Sequence, residues 1–182
     1  MIMRSNLKLA VALLLLVGAV EVSAKSVKKD LVGKEAPTFK VKDIDGNEFN
    51  LSEVLKSGKK VALCFFPTNN MRGSLNRARL VRDNIDDLNK VGITFLWLSF
   101  NSDKNLTSVR DANALNFPMA NDKKQAVAKL YAATRILGLP WAQNVTILIN
   151  ADGKVAQVLK KQDIEKNDYV QQIIDGFNVK AS

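Results

Sequence analysis

The residues able to do chemistry are few. Cys64 is the only cysteine, and the chain has no histidine. Cys/His zinc sites and histidine-based nucleophile triads are thereby excluded, and no disulfide can close within the chain. Cys64 sits in "VALCFFP", an apolar run of strand length, where a free cysteine behaves as a small hydrophobe. Ser74 follows Gly73 where a polar loop turns into a helix. Its hydroxyl needs an adjacent base to become a nucleophile, and no Ser-x-x-Lys spacing surrounds it. Ser74 therefore reads as a helix cap, with a ligand contact as the alternative.

Arg72, Arg77, Arg79 and Arg82 cluster at and after the same helix start. Two readings stand. The arginines face solvent, or Arg72, Arg77 and Ser74 bind an anion or acidic partner where the helix end already favours negative charge. The carboxylate pairs Asp86-Asp87 and Asp43/Asp45 read as a solvated helix face and a turn rather than an acid/base pair. No metal site and no cofactor are expected.

The elements that must position these residues follow from hydrophobic pattern. "FKVKDIDGNEFNL" alternates around Asp45-Gly46 and predicts a hairpin. "LSEVLKSGKK" predicts a helix capped by Ser52 and ended at Gly58, and "KVALCFF" a strand buried on both faces. The helix carrying Ser74 is expected over 74–90, with Leu80, Val81, Ile85 and Leu88 on its apolar side and Gly92 as its stop. "ITFLWLSF" is a second buried strand, followed by helices over 103–115 and in "KKQAVAKLYAA", with Asp122 as the latter's cap. "NVTILIN" and "KVAQVLK" form a hairpin across "ADG", and a last helix over 167–178 buries Tyr169, Ile173, Ile174 and Phe177. The sum is an α/β fold on the thioredoxin plan, one domain with a central mixed sheet and helices on both faces.

Residues 1–24 fall outside that fold. Arg4 and Lys8 precede an apolar core, and "VSA" supplies small residues at the cleavage spacing of a signal peptide. The apolar run from Leu9 to Val20 is about 12 residues, short of the ~20 of a spanning helix. Cleavage leaves residues 25–182, exported to a periplasmic or extracellular setting without a membrane anchor. Intact mass of the product is expected to correspond to a chain starting at Lys25; a protein starting at Met1 and pelleting with membranes would make the segment an anchor. The net charge is +9, and the leader removes two positive charges and one negative. The lysines lie in scattered pairs with no aromatic interleaving, so a nucleic-acid partner is not expected.

The ordered series "GKEAPTF" (33–39), "DIDGNEFNLSEVL" (43–55), "GKKVALCFFP" (58–67), "RDN" (82–84), "NFPMAND" (116–122) and "TILINADGKV" (146–155) resembles the peroxiredoxins, the alkyl hydroperoxide reductase/thiol-specific antioxidant family. The bacterioferritin-comigratory branch is the most similar. The resemblance implies a thioredoxin-like fold of peroxiredoxin type. It also implies an active site built from a proline, a threonine or serine four residues on, a peroxidatic cysteine three further, and an arginine from a later strand. In this register Pro67 matches, Met71 stands at the hydroxyl position, Ser74 at the cysteine and Asn144 at the arginine. The second cysteine of the related branch falls at Arg79. A thioredoxin-type register puts the cysteine pair at Asn70 and Gly73, again without a thiol.

The expectation is an exported peroxiredoxin-like protein without the peroxidatic thiol, with Pro67, Met71, Ser74 and Asn144 as vestiges of its site. It would serve as a binding or accessory module for an unknown protein or a small anionic ligand, as a monomer or homodimer. The alternative is a thiol oxidoreductase or peroxidase of that family, acting through Cys64 or through a partner's cysteine.

Overall fold

A computed structural model describes residues 31–66, 72–134, 144–160 and 168–178. The leader, Pro67 and Met71 lie outside the described residues, as does the side chain of Arg72. A short hairpin, β1 (Lys40–Lys42) and β2 (Glu48–Asn50), opens the fold. Its turn is tied by Asp43, whose Oδ1 accepts the backbone N–H of Asp45 and of Asn47 at 2.9 and 2.8 Å. Gly46 takes a φ of 85° there, a left-handed conformation that a side chain would strain. Helix α1 (Leu51–Lys56) is capped by Asn50, not Ser52: Asn50 Oδ1 accepts the Ser52 N–H at 3.2 Å.

Five strands make the main sheet in the order β5-β4-β3-β6-β7. The central strand β3 (Lys60–Phe66) runs parallel to β4 (Ile93–Ser99) and antiparallel to β6 (Val145–Ile149). β5 (Met119–Asn121) extends one edge in parallel, and β7 (Val155–Lys160) closes the other antiparallel to β6. β5 was not expected as a strand; three residues give too short a pattern to separate from the extended Phe117-Pro118 link before it.

The two faces of β3 divide the core. Val61, Leu63 and Phe65 pack on one side with Leu51 of α1 and with Val127 and Ala128 of α5 (Ala126–Leu130). Ala62, Cys64 and Phe66 pack on the other, under α2 (Arg72–Asp83), α3 (Ile85–Lys90), α4 (Asp103–Asn113) and α6 (Tyr169–Gly176). Burying each large apolar side chain contributes roughly 1.5–3 kcal/mol, so a strand with both rows inside is anchored strongly. That rigidity fixes where Cys64 can be.

The helix expected over 74–90 is two helices. Asn84 interrupts it, its Nδ2 donating to the Leu80 carbonyl at 2.8 Å, a side-chain bond that competes with helix continuation. The helix expected in "KKQAVAKLYAA" is shorter than predicted. Its N-cap position is Gln125, and Asp122, three residues earlier, accepts from the N–H groups of Val127 and Ala128 at 3.2 and 2.8 Å. None of the described helices is long and apolar enough to cross a membrane.

Candidate functional site

Cys64 and Thr146 are cross-strand partners on β3 and β6, so their side chains meet on the same face of the sheet. Tyr169, the first residue of α6, lowers its hydroxyl onto that pair. Cys64 Sγ lies 3.2 Å from Thr146 Oγ1 and 3.2 Å from the Tyr169 hydroxyl, and the two hydroxyls are 2.7 Å apart. All three residues are completely buried. Gly176 lets α6 sit this close: a Cβ there would run into the side chains of Leu148 and Gln157.

The triangle closes on itself. Three S–H and O–H hydrogens serve three contacts, so each group donates once and accepts once while all are neutral. Burial pushes the Cys64 thiol up to about 11, against the hydrogen bonds from Thr146 and Tyr169 and the charge of Arg77, which favour the thiolate. Burial also raises the Tyr169 phenol well above its ordinary value, as does the neighbouring Cys64. At neutral pH the resting site holds a thiol. Once it ionises, both hydroxyls can turn to donate to sulfur, at the expense of their bond to each other.

The arginine cluster separates into two groups. Arg79 grips Asn113 Oδ1 through Nε and Nη2 at 3.2 and 2.8 Å, and Arg82 donates from Nη1 to the Asn113 carbonyl at 2.7 Å. These two tie α2 to α4. Arg77 instead turns inward, only 4% exposed, with its guanidinium carbon 5.1 Å from the centroid of the Phe66 ring. Its Nη1 would lie 3.8 Å from a Cβ on Gly73, which places the guanidinium beside the first turn of α2.

Ser74 is the third residue of α2, not its cap, and its buried Oγ has no hydrogen-bond partner. Asn144 comes immediately before β6. The register pairs of β6 with β3 end at Val145 and Phe65. Asn144 Oδ1 is also buried without a partner. Arg77 packs on Phe66, a member of the core cluster that holds Cys64, with Ser74 in the same helix three residues before it. Asp43 and Asp45 belong to the hairpin turn, and Asp87 pairs with Lys90 on an outer face at 2.9 Å. Among the described residues no group of three cysteines, aspartates and glutamates could hold a metal ion.

Thr146 and Tyr169 are the residues the sequence did not assign to Cys64. Thr146 becomes a neighbour only once the register of two strands 82 residues apart is fixed. Tyr169 reads as one more apolar residue on a helix face, and nothing in its spacing points to a cysteine 105 residues away.

Residues 32–158 match the AhpC/TSA family. Among curated proteins, Peroxiredoxin Bcp of Escherichia coli (strain K12) is 29% identical over 131 residues, covering 69% of this chain and 83% of that protein. Among solved structures, Peroxidoxin BcpB from Mycobacterium tuberculosis superposes with a TM-score of 0.73 at 21% identity, covering 83% of this chain and 98% of that one. The Bacterioferritin Comigratory Protein of Xanthomonas campestris gives a TM-score of 0.67 at 16% identity, covering 77% and 90%. These superpositions establish the thioredoxin-like peroxiredoxin fold.

They also correct one expectation. A thiol-lacking binding or accessory module does not agree with relatives named as peroxiredoxins and a chain that holds a buried cysteine in a polar cluster. The reading of Cys64 as a plain small hydrophobe was incomplete for the same reason: its sulfur touches two hydroxyls.

Proposed function

The chain belongs to the AhpC/TSA family, and from that premise we propose that it is a thiol-dependent oxidoreductase reducing peroxides through Cys64. The observation that carries this is the placement of the chain's one sulfhydryl, with two hydroxyl donors at 3.2 Å and the Arg77 charge acting on it. Hydroxyl and cation together offset part of the burial that keeps the sulfur neutral, and so ease formation of the reactive thiolate. The relatives support the same reading. The Escherichia coli protein is named a peroxiredoxin, and the Xanthomonas structure is described for alkyl peroxide reduction.

The chemistry balances as follows. The Cys64 thiolate attacks one peroxide oxygen, an S–O bond forms and the O–O bond breaks. Sulfur is oxidised to the sulfenic acid, the first rung of cysteine oxidation. The peroxide is reduced and leaves as alcohol or water after taking a proton. With one cysteine per chain, the sulfenic acid is returned to thiol by two equivalents of thiol from another molecule, one forming the mixed disulfide and the second releasing it. Cys64 has no exposed surface, so the peroxide must enter the buried site to reach the sulfur.

The test is peroxide consumption by the purified protein with an excess of a small thiol, and trapping of the sulfenic acid with a carbonyl nucleophile followed by mass spectrometry. Label on Cys64, with turnover lost in Cys64→Ser, is the expected result. Turnover equal in wild type and Cys64→Ser would remove the proposal.

A further inference from the structure

Arg77 is a buried charge without a counter-charge among the described residues. Its Nε and Nη2 have no hydrogen-bond partner. These two atoms form one edge of the planar guanidinium, the edge that accepts a carboxylate, phosphate or sulfate through two parallel bonds. The Phe66 ring covers a face of the group, which helps a cation but leaves the edge unsatisfied. No salt bridge involving Arg77 occurs among the described residues. An uncompensated buried ion is costly to the fold.

Its surroundings point to what is missing. The guanidinium lies at Gly73, in the first turn of α2, a helix of 12 residues with no acidic residue in that turn. Unsatisfied N–H groups and the positive end of the helix dipole converge there. Ser74 Oγ, 99% buried on the same turn, is a second donor without an acceptor. Arg79 and Arg82 on the outer side of this helix are already engaged with Asn113 and Asp83. Among its described arginine side chains, Arg77 alone presents an open fork.

We propose that Arg77 and Ser74, at the first turn of α2, bind a small oxyanion, two of whose oxygens bridge Arg77 Nε and Nη2. The site shares Arg77 with the peroxidase reading but does not rest on it, since its signature is binding rather than turnover. Carboxylate, phosphate and sulfate share the required pair of oxygens; chloride does not.

The experiment titrates the purified full chain with sodium acetate, phosphate or sulfate against sodium chloride at matched ionic strength, following heat of binding and thermal unfolding. At least one oxyanion is expected to bind saturably and at least tenfold more tightly than chloride. Arg77→Lys, which keeps the charge but lacks the fork, should weaken that affinity at least tenfold, and Ser74→Ala about threefold. Arg79→Gln on the outer face should leave it unchanged. Non-saturating effects of equal size in wild type and Arg77→Lys would overturn the proposal. Should the Arg77 variants fail to fold, the wild type still decides. With 15N-labelled arginine, a guanidinium Nε–H resonance protected from solvent exchange should shift on addition of the oxyanion. An unshifted protected resonance overturns the proposal.

Discussion

Cys64 is expected to react with peroxide and with small electrophiles about a thousandfold faster at pH 10 than at pH 7. Only the thiolate is a nucleophile. With burial holding the thiol up to about 11, the thiolate fraction grows about tenfold for each pH unit below that value. Rates should climb through pH 10 without levelling. A reaction that needs the thiol fully released into water behaves differently. There the ordinary thiol value near ~8.5 governs, the gain from pH 7 to 10 is only about thirtyfold, and a plateau appears above pH 9. Initial rates of peroxide consumption and of labelling by a small alkylating agent, measured every half unit, separate the two. Tyr169→Phe sharpens the result. It removes one donor to the thiolate, and hydrogen bonds to charged groups are worth about 1.5–3 kcal/mol, so rates below pH 10 should fall about tenfold or more. A plateau above pH 8, unaffected by Tyr169→Phe, would mean that the buried triangle does not control the sulfur.

How much of this was visible in the residues depends on the range over which the signal acts. The apolar runs around Cys64 and Trp97 specify strands buried on both faces, because only a sheet covered on each side buries "KVALCFF" and "ITFLWLS" entire. The alternation around Asp45-Gly46 and the "ADG" turn specify hairpins through local backbone chemistry. Asn84 was harder to read, since the same residue type serves in helix interiors and at breaks. Ser74 was legible as a special position but not in its role. A cap places its hydroxyl at a free N–H, whereas Ser74 sits two residues into α2 with Oγ unpartnered.

Arg77 shows the same limit. Sequence counts four arginines on one helix start, and period alone cannot decide which turns inward. The ring of Phe66 gives the long side chain a surface to lie on beside the first turn of the helix. Outer and inner arginines then have opposite consequences. Arg79 and Arg82 meet partners on α4 and stabilise packing. Arg77 brings a charge to the face of the sheet that carries the thiol, where it offsets part of what burial does to Cys64.

Raising the pH from 8 to 11 is expected to cost the wild-type fold about 2 kcal/mol more than it costs Cys64→Ser, approaching about 3 kcal/mol above pH 11. The thiol rises from an ordinary 9.0 to about 11 on folding. A raised folded-state value means that the folded protein holds the proton more tightly than the unfolded chain. The stabilisation is complete below about 9, where both states are protonated. It is lost as pH climbs through about 11, because the unfolded thiol ionises first and draws the equilibrium toward itself. Serine keeps a hydroxyl within reach of Thr146 and Tyr169 but does not ionise in this range, so it isolates the thiol. The Tyr169 phenol, also raised by burial, weakens both proteins at still higher pH and largely cancels in the difference. Denaturant unfolding under reducing conditions at pH 8, 9, 10 and 11 gives the measurement, read as the change in the gap between the two proteins rather than its absolute size. A gap that stays constant across this range would mean that folding does not move the Cys64 thiol from its ordinary value. A gap that moves in the wild type's favour by about 1.4 kcal/mol would mean that the buried triangle already contains a thiolate at neutral pH, stabilised by Arg77 and the two hydroxyls.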